Sequence, residues 1–266
     1  MSKFEQSIVK AVGLYNQRHR NKYGELVICC DCRKDRYWRT EVFPHYKGNR
    51  TDNQLNETFR DPEVAKRMKR LPFEMAAIFK EHFKFKVLTV DRAEADDIIG
   101  TLVFANPGDK HLIISGDEDF LQLQQFDVDQ IAPNKNDKKL TTSNPTRSLR
   151  EKLLTGDSGD GIPNVLSDND TLVTEGKRQT PLREPKKNLF MDAEELPDSI
   201  QERFNENERL IDLSFTPEDI TQEIVEQFEN YVGSTAAPLT SIMKLKYGSL
   251  LDSPDLFNVN TNVGII

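Results

Sequence analysis

The chain has 266 residues, 36% of them hydrophobic and 30% charged, with a formal net charge of −8 and a mean hydropathy of −0.63. That length buries a substantial core in one large or two modest domains, and with no apolar run near 18 residues a membrane-spanning helix is excluded. The negative sum argues against a general polyanion binder, but it averages over an uneven distribution.

Residues 2–20 predict an amphipathic helix with Phe4, Ile8, Ala11, Val12 and Tyr15 on one stripe. Its start, Met1 to Gln6, lacks the apolar core of a signal peptide. After a Gly-containing turn at 21–25, Leu26 to Cys30 predicts a buried strand that delivers Asp31 at its end. The three cysteines, Cys29, Cys30 and Cys32, have no distant partner. They point to a reducing, cytoplasmic setting and are not spaced to close a zinc tetrahedron. Residues 33–50 then carry Arg33, Lys34, Arg36, Arg39, Lys47 and Arg50 against Asp35 and Glu41, with Tyr37, Trp38, Phe43, His45 and Tyr46 interleaved. Such a local basic patch steers a polyanion whatever the net sum.

Thr51 to Asp61 is polar and reads as a loop or frayed helix, and Pro62 to Phe83 as a helix interrupted at Pro72, with Met75, Ile78, Phe79 and Phe83 on its apolar face. Further strands are predicted at Val87–Val90, Leu112–Ser115 and Asp127–Ala132, with helices from about Glu94 to Ala105 and from the second of these strands through Gln124. This βαβα alternation over residues 25–133 predicts an α/β fold, a mostly parallel sheet with helices on both faces. From Arg147 the period becomes helical, broken by the Gly-rich turn Thr155 to Asn164. Residues 167–188 read as a surface loop carrying Lys177 and Arg178, and 193–213 and 217–231 as helices. The expected divisions are an α/β domain over 1–145, a helical region over 146–235 and a thinly patterned tail over 236–266.

Two of the predicted strands end in bursts of carboxylates: Glu94, Asp96 and Asp97 after the first, Asp117, Glu118 and Asp119 after the second. Parallel sheets gather ligand sites at their carboxyl ends, so both bursts face one crevice. Helix capping accounts for either burst alone. Two in succession point to a bound divalent cation that relieves their repulsion.

Five pieces carry a resemblance: Cys30-Asp31; Tyr46-Lys47-Gly48-Asn49-Arg50; Glu94-Ala95-Asp96-Asp97; Ser115 to Phe120; and Gly156 to Pro163. In this order they resemble the 5′-nuclease (flap endonuclease) family, in particular the RNase H and 5′→3′ exonucleases of T-even-like bacteriophages. The resemblance covers about residues 5–235 and implies a PIN/5′-nuclease-like α/β domain followed by a helix–three-turn–helix. It implies two Mg²⁺ ions, replaceable by Mn²⁺. Asp31, Glu94, Asp96 and Asp117 would surround one, and Asp117, Asp119, Asp157 and Asp160 the other. Lys47 and Arg50, one helical turn apart, would grip the scissile phosphate; Tyr46, Arg39, Gly159, Gly161, Lys177 and Arg178 would contact nucleic acid, with a K⁺ ion at the Gly-rich turn. Asp97 is expected to cap its helix and Glu118 to face solvent. Tyr37, Trp38 and Phe43 read equally as base-stacking or core residues.

The activity implied is 5′→3′ hydrolysis of RNA–DNA hybrid, flap or nicked duplex by a monomer, in primer removal during phage replication, with a single-strand binding protein or sliding clamp as partner. A PIN-like ribonuclease and a catalytically impaired branched-DNA-binding protein stay open as alternatives. The family begins with an apolar central strand that ends in a metal-binding Asp, whereas this sequence opens at the helix that follows it. A sheet without that strand is expected to leave two ladder edges facing each other, with lowered stability and cation affinity.

Overall fold

The computed structural model describes residues 3–32, 37–50 and 61–259. Arg33, Lys34, Asp35 and Arg36 of the basic patch, and residues 51–60 of the expected loop, lie outside the described residues.

Helix α1 (Lys3–Tyr23) buries Glu5, Val9, Gly13 and Asn16; of the predicted stripe, Ile8 and Val12 pack partly buried against the core, and Phe4 is 52% exposed. The face is rotated because α1 packs against the end of the described chain. A Cβ at Gly13 would stand 2.8 Å from the Phe257 ring, and Asn16 Nδ2 donates to the carbonyls of Leu256 (2.7 Å) and Asn258 (2.8 Å). Hydrophobic periodicity misses a face built from glycine and a backbone-binding amide.

Strand β1 (Val27–Cys29) and β2 (Lys86–Leu88) pair in parallel, Val27 opposite Lys86. Between them lie the short helix α2 (Trp38–Val42) and α3 (Pro62–His82). Helix α3 runs unbroken through Pro72, whose exposed position leaves the lost hydrogen bond facing water. After α4 (Ala95–Ala105), β3 (His111–Ile114) pairs in parallel with β4 (Val128–Ala132), and β5 (Lys138–Leu140) adds antiparallel to β4. Between β3 and β4 the chain forms a 3₁₀ segment, Glu118–Phe126, in place of the expected α-helix.

The sheet is therefore in two pieces, β1–β2 and β3–β4–β5. An apolar cavity of about 240 Å³ lies between them, lined by Val27, Ile28 and Cys29 of β1 and Leu112, Ile113 and Ile114 of β3. Val12 and Tyr15 of α1 and Ile99 of α4 close it. One hydrophobic cluster, containing Val27, Leu88, Ile98 and Ile113, still joins both sheets under α4 and α8 (Glu218–Glu229).

Helices α5 (Pro145–Thr155), α6 (Glu184–Asp192) and α7 (Asp198–Ile211) share a separate cluster around Leu154, Ile162 and Phe204; α6 begins inside the predicted loop and runs past its end. The tail returns to the α/β half. Through α9 (Pro238–Lys244) and two 3₁₀ turns it seats Tyr247, Leu250 and Phe257, all 0% exposed, with α1 and α3.

Candidate active site

Local turn chemistry places each carboxylate. At the start of α4, Asp97 Oδ2 accepts from the Glu94 amide at 2.8 Å, so Asp97 caps as expected. The adjacent Ala95 amide donates to Asp31 Oδ1 at 2.8 Å, drawing the end of β1 onto the same helix start. After β3, Asp117 Oδ1 accepts from the Asp119 amide at 3.0 Å. Gly116 leaves room there for the Asn134 side chain, whose Oδ1 lies 2.5 Å from where a Cβ would stand. In the Gly-rich turn, Asp157 Oδ1 accepts from the amides of Gly159 (2.8 Å) and Asp160 (3.2 Å). Gly156, at φ 69°, allows a close backbone approach, since a Cβ there would stand 2.4 Å from the Ile162 carbonyl oxygen.

Cationic and hydroxyl side chains draw these carboxylates together. Lys47 Nζ pairs with Glu94 Oε1 and reaches Asp160 Oδ2 at 4.0 Å. Arg50 pairs with Asp160 Oδ1 and donates to the Gly159 carbonyl at 3.1 Å. Tyr46 Oη lies 2.7 Å from Glu94 Oε2 and 3.0 Å from Asp160 Oδ2. Lys152 of α5 bridges Asp119 and Asp157, 2.9 Å from Asp157 Oδ2. Burial, then Asp117 and Glu94 nearby, push the Asp96 carboxyl up to about 7. Burial also presses Asp157 upward, but the Lys152 ammonium and the turn's own amides outweigh it and hold that carboxyl below its usual range. Tyr46 is driven well above its ordinary range, chiefly by burial; it stays protonated and has one proton for two carboxylates.

The donor set is all oxygen, the chemistry that Mg²⁺ and Mn²⁺ take, and Asp96, raised first by burial, is raised further by Asp117 and Glu94, a repulsion that a bound cation would relieve. Among the described residues no three carboxylates converge on one point; Lys47, Arg50 and Lys152 stand among them. On charge and donor type these residues fit a divalent cation.

Several expected nucleic-acid contacts are placed elsewhere. Arg39 is 3% exposed and committed to Glu94 and Asp97. Tyr46, 6% exposed, spans two carboxylates, so neither offers a surface to nucleic acid. Buried Gly161 serves close packing: at φ 76°, a Cβ would meet the His45 carbonyl at 2.8 Å. Gly159 is exposed, but its amide donates to Asp157. In the same turn, where a K⁺ ion is expected, the Ser158 carbonyl accepts from Asn49. Lys177 closes on Asp170 at 2.7 Å and Arg178 is exposed; among the described residues neither pairs with the crevice carboxylates. Trp38 and Phe43 are buried, which favours their core reading. Lys47 and Arg50 lie in successive turns, not on a helix, with Lys47 at φ 55°. Glu118 is exposed, as expected.

Lys152 escaped the sequence reading. Its only signal is its place five residues before Asp157, on a helix ending at that turn.

A crevice of carboxylates at the ends of parallel strands, completed by a Gly-rich turn from a helical region, defines a metal-dependent nuclease of resolvase-like fold. The chain belongs to the 5′-3′ exonuclease family: residues 6–152 match the model of the 5′-3′ exonuclease N-terminal resolvase-like domain, and 144–253 that of the C-terminal domain of T4 RNase H. Ribonuclease H of Enterobacteria phage T4 is 30% identical over 220 residues, covering 79% of this chain and 71% of the relative. A 5′-3′ exonuclease of Buchnera aphidicola is 28% identical over 163 residues, 57% of this chain and 51% of that one. The T5 D15 protein co-crystallised with metal ions shares the fold at a TM-score of 0.58 and 19% identity, covering 85% of this chain and 92% of the other. T5 5′-exonuclease with bound zinc does so at 0.59 and 18%, covering 86% and 91%.

Proposed function

We propose that the chain is a Mg²⁺-dependent 5′→3′ nuclease that hydrolyses phosphodiesters in RNA–DNA hybrid, flaps and nicked duplex, and removes RNA primers during phage DNA replication. The observation that carries this reading is the gathering of Glu94, Asp96, Asp117, Asp119, Asp157 and Asp160 from three separate segments around Lys47, Arg50 and Lys152. Asp31, Glu94, Asp96 and Asp117 would hold one divalent ion; Asp117, Asp119, Asp157 and Asp160 would hold a second. When bound, such ions stabilise charge on the attacking and leaving oxygens of phosphate. The chain's own residues supply the rest. Lys47 and Arg50 exchange their carboxylate partners for the scissile phosphate, binding it by charge-assisted hydrogen bonds. The Tyr46 hydroxyl keeps Glu94 and Asp160 at a fixed separation. The DNA held by the T5 D15 flap endonuclease in its complex with DNA and metal ions supports a nucleic-acid substrate for this chain too.

A second reading, a branched-DNA-binding protein without catalysis, is favoured by the lack of three converging carboxylates among the described residues. A 5′-labelled flap and an RNA–DNA hybrid, incubated with the chain and Mg²⁺ or EDTA beside a binding assay, separate the two. Mg²⁺-dependent cleavage strongly slowed by Asp117→Asn is expected. Flap binding without cleavage at any Mg²⁺ or Mn²⁺ concentration would establish the second reading instead.

A further inference from the structure

Resting on Glu94 as a cation ligand, we propose that Arg39 and Asp97 form a buried positioning pair that aims the Glu94 carboxylate into the crevice and thereby sets cation affinity. Arg39 reaches four acceptors. Its Nη1 donates to Glu94 Oε2 (3.1 Å) and Asp97 Oδ2 (3.0 Å), its Nη2 pairs with Asp97 Oδ1 (2.9 Å), and its Nε donates to the Leu210 carbonyl (2.7 Å). The guanidinium lies over the Trp38 ring at 4.6 Å, and Trp38 Nε1 donates to Asp97 Oδ2 at 3.2 Å. Thr216 Oγ1 donates to Asp97 Oδ1 at 3.0 Å. Arg39, Glu94 and Asp97 are each at most 3% exposed.

A buried ion pair is weak evidence for a stabilising role, since apolar side chains of like volume serve stability as well. What the planar fork adds is direction. It commits Glu94 Oε2, with Tyr46, to the protein frame. Only Oε1 is left toward the crevice, where Lys47 meets it. The frame also reaches the helical half, because Leu210 is in the last turn of α7 and Thr216 closes the turn that follows it. Carboxylates held by such outer partners typically lose 10–100-fold in metal affinity when the partner is removed.

The test is a cycle read by Mn²⁺ calorimetry on the full chain, with melting temperature alongside. Arg39→Lys keeps the charge and loses the fork. It should weaken Mn²⁺ binding about 10–100-fold in the natural background and less than about threefold in Glu94→Gln, where there is no ligand left to aim. Thr216→Val, a milder change that spares folding, should weaken binding about two- to fivefold in the first background and not in the second. Equal losses in both backgrounds, or a lowered melting temperature with unchanged Mn²⁺ affinity, would overturn the proposal and leave a purely structural pair. If Glu94→Gln weakens Mn²⁺ binding while Arg39→Lys and Thr216→Val do not, the positioning role alone falls. If Glu94→Gln itself leaves affinity unchanged, the ligand reading falls and takes the pair's role with it.

Discussion

The two walls of the crevice hold their carboxylates by opposite means. On the wall formed by the start of α4, Glu94 and Asp97 are locked by a guanidinium that is 3% exposed. On the wall formed by the segment after β3, which carries Asp117 and Asp119, and the Gly-rich turn, Asp119, Asp157 and Asp160 are held by Lys152 and Arg50, whose side chains are 27% and 50% exposed. A cation sealed in the interior cannot withdraw without unfolding its surroundings, whereas one at the surface can swing away. One wall is a fixed template; the other is neutralised by groups that a phosphate or a metal ion can displace.

The sharpest way to break this comparison is to delete one carboxylate from each side. Asp97→Asn leaves Arg39 short of its main partner inside the protein, and breaking such a pair costs about 3 kcal/mol or more, a fall in Tm of roughly 6–12 °C for a chain of this size. Asp117→Asn, at an exposed position, should leave the Tm within about 2 °C yet slow single-turnover flap cleavage by about 10–100-fold or more. Thermal melting and cleavage of both variants decide it; equal Tm losses would erase the distinction between template and displaceable wall.

A smaller effect separates pH from metal. Asp96 has its folded-state value raised to about 7, against an ordinary value near 3.8. The folded state therefore holds this proton more tightly than the unfolded chain. The contribution is complete below about pH 4 and is lost as pH rises through 7, on the order of 1–3 kcal/mol. Melting in EDTA at pH 5 and pH 8 should show this decline, and Asp96→Asn should flatten it. An identical slope in both proteins would show that Asp96 does not control it.

The least effect concerns the displaceable wall. Lys152→Ala removes a partly exposed pairing worth on the order of 1 kcal/mol, so Mn²⁺ affinity should rise by about fivefold. A fall in affinity would mean that Lys152 orders the two aspartates and does not occupy a cation's place.

Much of the site was legible because it is local. Each carboxylate burst closes a strand whose apolar run stands out, and cap and turn chemistry then fixes its geometry, as for Glu94 with Asp97 and Asp117 with Asp119. Roles that depend on distant contacts were not legible. Nothing near Arg39 in sequence announces that it will meet Leu210, 171 residues on, so it read as one more cation in a basic patch. Gly161 read as a phosphate-binding turn residue because its packing partner, His45, lies on a different segment. The same limit hid the orientation of α1, whose buried face answers to carbonyls at Leu256 and Asn258.

The gap between β1 and β3 bears on cooperativity. Strands in one ladder melt together because each hydrogen bond fixes the next, but β1–β2 and β3–β4–β5 share no ladder. They are joined across the cavity by side-chain packing from α1 and α4. β2 lies against α3 and α8, while the segment after β3 lies against α5. Beyond the α4 helix that both touch, their supports differ, and native-state amide exchange at Ile28 and at Ile113 is expected to report two distinct opening free energies where a continuous sheet would give one.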